Sequence, residues 1–384
     1  MLKKLFAIAA IFALSLSVGC NGCSNGPDKN PPAPTPSASQ SATAPAPGSK
    51  DAAPAAGSPI VPQEGKPGNI GKASISSKWL KFEEPVLCSF TNFAGIAAPE
   101  KNVIVLAQKK ELAAYRIDGD VLKPEKSYFD NGVLELPFTI SLINMDKNGL
   151  MYVSGGVFNV ATVNKKGIVA KDHDANGYFY AHPSGKWGLS CFVGSDTRFF
   201  DRVGDSSFVS KKWILSDMGK KDARKGKYSS VDCFEIREDV VLVSGNVDKE
   251  VAGKNPGEKK MMTGKIITVY DSKGKEMLEF ERTWDDPFAK DHIGWVYSMF
   301  GSSYGTFVVD SNFRSLKLFG KDGKYIGQEK LKDLLGADMW PKSTARLDSK
   351  TVAIAGSVKR PKINPDDENE KPVSEIMVFL LKGI

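Results

Sequence analysis

The clearest metal-ligand spacing in the sequence lies in DHDANGYFYAHP, residues 172–183. Four residues fall where the first half of a calcium loop supplies oxygens: Asp172, Asp174, Asn176 and Tyr178. The acidic residue that ends such a loop is replaced by Pro183. The sequence therefore predicts weak calcium binding as the one cofactor candidate. An ordinary polar connector fits the same residues.

Catalytic nucleophiles and bases give weaker patterns. Ser303 lies in GSSYG, which has the form of a hydrolase nucleophile elbow, but that motif needs a strand followed by a helix, and here it joins two predicted strands. The three histidines, His173, His182 and His292, do not have metal-ligand spacing. These residues therefore leave enzymatic activity uncertain and favour a protein that is not an enzyme.

Three cysteines follow the N-terminal region: Cys88, Cys191 and Cys233. This is an odd number for an exported chain, in which cysteines tend to pair. Cys191 and Cys233 fall in strands predicted to be neighbours. They could form a bridge, and buried free thiols are the alternative.

Basic residues concentrate in two segments. The formal net charge is +7, or +5 without the first 19 residues, and segments 217–227 and 248–265 together carry this excess. Their candidate binding residues are Lys220, Lys221, Arg224, Lys225, Lys254, Lys259 and Lys260. Such a patch attracts acidic proteins or anionic polymers, although solvated lysines also simply keep a surface soluble. No basic and aromatic interleaving typical of nucleic-acid modules is found.

The elements that must position these residues are short apolar runs that recur along the chain. They begin at Val103, Leu150, Trp187, Val240, Thr306 and Val352. Each run follows a strand-like segment and a tight turn, and another turn comes after it. Six such units of four short strands predict a six-bladed β-propeller, an all-β ring in which blades pack face to face.

Ring closure requires a strand from elsewhere, because the last unit stops at its third strand, EIMVFLLKG. The segment ISSKWLKF, residues 75–82, is predicted to supply the missing strand. The hairpin LKLFGKDGKYIG resembles NHL-repeat propellers, and AHPSGKWGLSCF resembles TolB-like propellers. The resemblance covers most of residues 96–384 and implies a propeller domain over residues 72–384.

One aromatic residue precedes each apolar run by 9 to 12 positions. The six are Phe93, Phe138, Tyr178, Tyr228, Trp295 and Trp340. Near the start of each innermost strand, they could rim a central pocket; packing between blades is the alternative. Tyr228, Trp295 and Trp340 are predicted to lie on the binding face.

Strand order sorts the connections onto two faces. Turns between first and second strands, and between third and fourth, share one face. Connections between second and third strands, and between blades, share the other, which also receives two long insertions, DKEVAGKNPGEKKMMTG and KRPKINPDDENEKPV. A partner is expected on that loop-rich face.

The N-terminus resembles a bacterial lipoprotein signal. Two lysines precede the apolar run LFAIAAIFALSLSV, and SVGC ends at Cys20, with Ser17 where the lipobox usually has Leu. The resemblance implies cleavage after residue 19, acyl chains such as palmitate on Cys20, and membrane attachment through that lipid.

Residues 20–71 are predicted to be a disordered tether. Eleven of the 22 prolines lie in residues 24–71, together with many Ala and Ser and no aromatic residue. Such a segment buries too little apolar surface to offset its ordering entropy. A domain on this tether can act away from its membrane.

These inferences predict a lipoprotein of the bacterial cell envelope, in the outer membrane or at the cell surface. Its propeller is expected to act as a binding or scaffold module for an envelope protein or an anionic glycopolymer, and not for nucleic acid. One alternative is a calcium-dependent hydrolase or lactonase that would use channel residues such as Asn144, Asp232 and Glu235. The other is a structural subunit of an envelope assembly.

Overall fold

Six blades of four antiparallel strands build the described part of the protein, and hydrogen bonds join the last and first blades into one sheet of eleven strands. The structure is a computed structural model that describes residues 60–88, 92–155, 159–171, 178–191, 197–203, 207–211, 227–253, 255–284, 286, 288–360 and 373–384. Its strands are short, alternating or fully apolar segments. A second strand such as VIVLAQ is buried along almost its whole length, because neighbouring sheets cover both of its faces.

The first three blades follow one another along the chain. Blade one contains β4 (Phe93–Glu100), β5 (Val103–Gln108), β6 (Glu111–Asp118) and β7 (Val121–Pro124), with β8 (Val133–Glu135) beside β6. Blade two contains β9 (Leu142–Met145), β10 (Met151–Gly155), β11 (Asn159–Asn164) and β12 (Gly167–Lys171). Blade three contains β13 (Tyr178–Ala181), β14 (Trp187–Cys191), β15 (Thr197–Val203) and β16 (Ser207–Lys211).

The other three blades complete the ring. Blade four contains β17 (Ser230–Ile236), β18 (Val240–Ala252), β19 (Lys259–Asp271) and β20 (Glu276–Glu279). Blade five contains β21 (Val296–Gly301), β22 (Thr306–Asp310), β23 (Ser315–Phe319) and β24 (Tyr325–Lys330). Blade six contains β25 (Trp340–Asp348), β26 (Thr351–Lys359), β27 (Ser374–Lys382) and the N-terminal β2 (Ala73–Phe82). The predicted apolar runs mark the second strand of every blade.

The hydrophobic core is divided among the blade interfaces. Six clusters of buried side chains occur in the described residues, and each joins two neighbouring blades, from blades one and two round to blades six and one. The innermost strands also contact one another around the ring. The fold is therefore a six-bladed β-propeller, as predicted, with its first strands around a central channel.

The predicted ring closure is confirmed. Residues Ser76–Leu80 of β2 pair antiparallel with β27, and Leu80 and Phe82 enter the core between blades six and one. At its end β2 also pairs in parallel with β7, Phe82 beside Leu122. Because β2 bonds to strands of the last and first blades, it ties the two ends of the ring together.

Described residues that contact the propeller begin before the predicted boundary at residue 72. A strand β1 (Gly68–Ile70) pairs with β2, and Ile70 packs into the core between blades five and six. The Gln63 N–H donates to the Gly336 carbonyl at 2.9 Å. These contacts use one apolar side chain and one backbone N–H at the end of an otherwise Pro/Ala/Ser-rich stretch. Between β2 and β4, the short strand β3 (Leu87–Cys88) pairs antiparallel with β27.

The helix predicted between blades five and six is present as α1 (Leu331–Leu335). Leu331, Leu334 and Leu335 are buried in the core between those blades. Gly336 ends the helix with φ 68°, and its N–H donates to the Lys332 carbonyl at 2.9 Å. This left-handed conformation costs least at glycine. Within the described residues, the structure holds no helix long and apolar enough to cross a bilayer.

The insertion of blade four continues its strands, although a loop insertion was expected. Residues 247–252 of β18 pair with residues 259–264 of β19, and we call this extension the ribbon. Its pairs are complementary across the strands: Lys259 and Glu250 form an ion pair at 2.6 Å, and Thr263 donates to Asp248. The corresponding insertion of blade six, residues 361–372, lies outside the described residues.

Candidate functional site

Four innermost strands contain a β-bulge at their second or third residue. The residues left without a pairing partner are Ala94 in β4, Asp232 in β17, Tyr297 in β21 and Lys342 in β25. The innermost strands of blades two and three pair without such a shift. A bulge takes a residue out of the alternation and re-aims its side chain. These bulges lie where the strands enter the channel from the loop-rich face.

Three bulge residues are linked by side-chain contacts. Asp232 forms an ion pair with Lys265 of β19, and the Lys265 Nζ lies 4.6 Å from the Trp295 ring centroid. The Trp295 and Tyr297 ring centroids are 6.1 Å apart, and the Lys342 Nζ lies 4.9 Å from that of Tyr297. These five residues, which we call the mouth cluster, span blades four to six.

The two lysines of the mouth cluster differ in how their charge is balanced. The Lys265 and Asp232 side chains are 9% and 8% exposed and neutralise each other. Burial raises the pKa of the Asp232 carboxyl above its usual range, and the Lys265 ammonium opposes this. Burial also lowers the pKa of Lys342, but no described residue forms an ion pair or hydrogen bond with its Nζ. The cluster therefore has one uncompensated positive charge.

The connector between blades four and five holds Trp295 in place. Arg282 donates to the Lys265 carbonyl and stacks its guanidinium 4.5 Å from the Trp284 ring centroid. The Asp291 carboxylate accepts from the Thr283 N–H at 2.6 Å and from its hydroxyl at 2.9 Å. Trp295 itself is 44% exposed, so part of its ring remains open to a ligand.

A buried ion pair fixes the end of this connector to blade five. Lys317 and Asp310 are 1% and 0% exposed, and the Lys317 Nζ lies 3.1 Å from the Asp310 carboxylate. Lys317 also donates to the His292 carbonyl, and Asp310 accepts from the Gly294 N–H at 2.8 Å. Burial lowers the pKa of Lys317, and the Asp310 carboxylate opposes that effect. Trp295 therefore follows a rigid segment.

The channel contains a second charged group toward the tight-turn face. Glu235 lies 3.5 Å from Arg237, and Arg237 donates to the Thr306 hydroxyl at 3.0 Å. Burial raises the pKa of Glu235, while Arg237 and Arg346 oppose the rise. Arg346 donates to the Gly301 carbonyl. These interactions connect the innermost strands of blades four, five and six.

Asn144, considered for a catalytic channel, connects two blades instead. Its amide donates to the Phe179 carbonyl and accepts from the Ala181 N–H at 2.8 Å, both in β13. Similarly, Ser343 accepts from the Ile96 N–H at 3.2 Å between blades six and one. These side chains take the place of the absent hydrogen bonds between innermost strands, so their polarity has a structural explanation.

The predicted aromatic residues occupy different environments. Tyr228 was expected on the binding face, but it is 2% exposed and packs in the core between blades three and four. Trp340 is half-buried beneath the Arg314 guanidinium, 5.1 Å from its ring centroid. Tyr178 is half-buried. Burial raises the pKa of its hydroxyl, and nearby Cys191 and Tyr297 add smaller effects. Trp295 joins the mouth cluster.

The predicted basic residues fall largely outside the described residues. Those outside are Lys220, Lys221, Arg224, Lys225 and Lys254. Lys259 and Lys260 lie on the ribbon, where Glu250 neutralises Lys259. Elsewhere on blade four, Lys227 lies 2.7 Å from Glu276. The described lysines of this blade are thus largely paired.

Three of the four calcium candidates, Asp172, Asp174 and Asn176, lie outside the described residues. The predicted lipidation residue, Cys20, also lies outside them. Tyr178 is described as the first residue of β13. Among the residues that the structure describes, no three His, Cys, Asp or Glu side chains lie close enough together to hold a metal ion.

The three described cysteines are buried free thiols. Burial raises the pKa of Cys191 to about 12 and that of Cys88 to about 11. Such thiols carry little thiolate at neutral pH and are poor nucleophiles. Of the two arrangements considered for Cys191 and Cys233, the structure has the unbridged one.

A cleft on the tight-turn face lies away from the mouth cluster. Its volume is about 520 Å³, and it lies between blades six and one. Its lining mixes charged and apolar groups, including Lys101, Ile117, Leu347 and Asp348. The Asp348 carboxylate accepts a hydrogen bond from the Lys350 N–H at 2.8 Å, and this bond helps to lower the pKa of Asp348. The carboxylate therefore already has a hydrogen-bond partner within its own turn.

The sequence analysis missed Tyr297, Lys265 and Lys342. Lys265 closes the predicted basic segment, and Tyr297 lies two residues after the predicted Trp295. Nothing in the residues around Lys342 predicts its position, because a bulge depends on how two strands pair.

No protein-family model matches the chain, and no curated protein matches its sequence. Among solved structures, Kuenenia stuttgartiensis hydrazine synthase is similar, with 11% identity, a TM-score of 0.47 and coverage of 71% of this chain and 95% of that one. The Cps50 (Swd1) β-propeller domain of Myceliophteria thermophila has 7% identity, a TM-score of 0.42 and coverage of 71% and 96%. Scores this low carry no argument about function. The described part of the chain is a six-bladed β-propeller on the ground of its own six blades and six blade interfaces.

Proposed function

We propose that this chain is a lipid-anchored protein of the bacterial cell envelope whose propeller acts as a binding module. The mouth cluster is the observation that carries the binding proposal, because it combines an uncompensated lysine with partly open aromatic rings on the loop-rich face. The anchoring and the location rest on the sequence around Cys20 and on the tether. The finer NHL or TolB type stays a prediction from the sequence.

The proposed partner is an anionic glycopolymer of the envelope. On the ribbon and its surroundings, Lys259 pairs with Glu250, and Lys249 lies 3.6 Å from Glu279. Positive charge there is locally neutralised, whereas Lys342 in the channel mouth has no counter-charge among the described residues. An anion is therefore attracted to the mouth more than to the ribbon. An acidic envelope protein is the other outcome that the experiment distinguishes.

Crosslinking and capture from intact cells test this proposal. The full-length wild type is compared with W295A/K342M, which removes an aromatic ring and the unpaired charge of the mouth. The control is K259Q/K260Q on the ribbon. We expect a glycan-containing species to be captured by the wild type and the ribbon variant and to be lost with the mouth variant.

Two outcomes contradict the proposal. One is equal capture by the wild type and the mouth variant, since the partner then binds elsewhere. The other is capture of a protein that survives glycan digestion, since that result would assign the face to protein docking. A thermal melt of each variant establishes that lost capture does not come from unfolding.

The alternative of a structural assembly subunit gains no support from the outer rim. That alternative calls for an extensive apolar patch outside the ring. Among the residues whose burial the structure describes, the exposed large apolar side chains of outer strands are spread over four blades: Val133, Ile168, Val169, Met277 and Ile326. Single exposed apolar residues are normal on a protein surface.

A further inference from the structure

We propose that the mouth cluster recognises an acidic sugar unit, with the sugar carboxylate on Lys342 and the sugar ring stacked on Trp295 or Tyr297. This inference rests on the proposed function, because it names the chemistry that the same site accepts. In this proposal, Lys342 selects ligands that carry a negative charge. The aromatic rings select ligands that have a flat apolar face.

The charge argument starts from a comparison of half-buried and buried lysines. Lys227 and Lys317 each have a carboxylate within 3.1 Å, and Lys265 pairs with Asp232. Lys342 is half-buried as well, but in the described part of the chain its Nζ forms no ion pair or hydrogen bond and lies 4.9 Å from the Tyr297 ring centroid. A desolvated ammonium without a counter-ion is costly. A bound anion would supply the missing charge.

The number of charges favours a carboxylate. Asp232 and Lys265 cancel, so Lys342 contributes a single excess positive charge to the mouth cluster. A carboxylate has one negative charge, whereas a phosphate monoester has close to two at neutral pH. A carboxylate thus neutralises the site without leaving a second anionic charge in a partly desolvated place.

The aromatic geometry favours a sugar ring beside that carboxylate. Lys265 covers Trp295 from one side at 4.6 Å, and 44% of the Trp295 surface is still exposed. The Trp295 and Tyr297 ring centroids are 6.1 Å apart, and the Lys342 Nζ lies 4.9 Å from the Tyr297 centroid. The C–H face of a pyranose can cover such a ring while its equatorial carboxylate reaches sideways. A rigid sugar holds both groups at a fixed separation, which lowers the entropic cost of binding.

An extended peptide finds less to bind at this place. The hydroxyls of Ser298 and Thr344 in the same strands hydrogen-bond to each other, and Ser343 accepts from the Ile96 N–H. The backbone groups of these strands that face the second strands are also used, in the ladders of blades five and six. A peptide would therefore find these hydroxyls and this side of each backbone already hydrogen-bonded, and peptide groups left unpaired on desolvation are costly.

Titration of the full-length chain with matched probes tests the inference, with Trp fluorescence or calorimetry as the readout. Galacturonate and glucuronate carry both ring and carboxylate; galactose and glucose carry only the ring; acetate carries only the carboxylate. We expect one of the uronates to bind at least about tenfold more tightly than its neutral sugar and than acetate.

Variants assign the charge selectivity to one residue. K342M should weaken uronate binding by about tenfold to a hundredfold and leave the neutral sugar unchanged, while K342R should retain most of the preference. K350M, on the tight-turn face, is the matched control and should behave as wild type. W295A should weaken both sugars, because it removes the stacking surface.

The inference is overturned if the uronates and neutral sugars bind equally, if K342M leaves the preference intact, or if no uronate binds. It is also overturned if galactose phosphate or an acidic peptide binds more tightly than the uronates. The two proposals fail separately: glycan capture from cells without uronate binding would end this inference and leave the proposed function standing.

Discussion

At the scale of residues, charges in this protein differ by whether the fold itself balances them. Lys317 and Lys265 are neutralised by carboxylates within the sheets, so their role is structural. Lys342 is left without a counter-charge among the described residues. This distinction, more than the number of lysines, separates a binding group from a stabilising one.

The Lys317–Asp310 pair should contribute strongly to stability. K317M leaves a fully buried carboxylate without its cation, so we expect the free energy of unfolding to fall by about 3–5 kcal/mol. Chemical denaturation measures this change. K324M is the control, because Lys324 and its partner Asp322 are exposed and the Lys324 Nζ lies 3.9 Å from the Asp322 carboxylate. We expect this substitution to change the free energy of unfolding by less than about 0.5 kcal/mol. Equal effects of the two substitutions would refute the structural role of Lys317.

Glu125 should make stability depend on pH in the acid range. Hydrogen bonds from Ser127 and, to a smaller extent, the Arg116 guanidinium hold the pKa of Glu125 below its usual value of 4.5. A lowered pKa means that this contribution is complete above 4.5 and is lost as the pH falls through the lowered value. The Tm difference between wild type and E125Q should therefore shrink between about pH 6 and about pH 3. A difference that stays constant over that range would contradict this origin.

Residue types alone predicted part of the site. Trp295 was found because one aromatic residue recurs before every second strand. Asp232, Tyr297 and Lys342 share a structural position but no chemical type, so no composition or spacing rule connects them. Their common feature is a bulge, which arises from the pairing of two strands and leaves no mark in one strand's sequence.

At the scale of elements, the sequence predicted the second strands, the closing strand and α1, because each depends on a local apolar pattern. The ribbon was expected to be a loop, because its Lys, Glu and Gly residues are not typical of strands. Cross-strand pairs such as Lys259 with Glu250 override that weak local preference.

The closing strand should be essential for folding. Deletion of residues 72–82 removes the pairing of Ser76–Leu80 with β27 and opens the core between blades six and one. We expect loss of the cooperative thermal transition and of the near-UV dichroism. The control replaces residues 248–263 of the ribbon by Asn-Gly, because the described side chains there are exposed or half-buried, and its melt should match that of the wild type. An unchanged melt after the deletion would count against closure by β2.

At the scale of the whole molecule, the proposed anchor and tether determine where the propeller works. C20S removes the thiol that would receive the lipid. We expect this variant to leave the membrane fraction and to lose incorporation of labelled palmitate, while its thermal melt stays that of the wild type. Cys23 lies three residues further on, and C23S is the matched control. Membrane retention of C20S would show that lipid on Cys20 is not the anchor.

The bulges carry a consequence for how this ring can change. Asp232, Tyr297 and Lys342 hold equivalent places in blades four, five and six. The residue at this place in blade one, Ala94, is instead buried in the core between blades one and two. A side chain that stands outside every ladder can be exchanged without altering the alignment of any strand. Evolution or design can thus alter ligand preference at these three positions, which now carry an acid, a phenol and an amine, while the architecture around them is inherited intact.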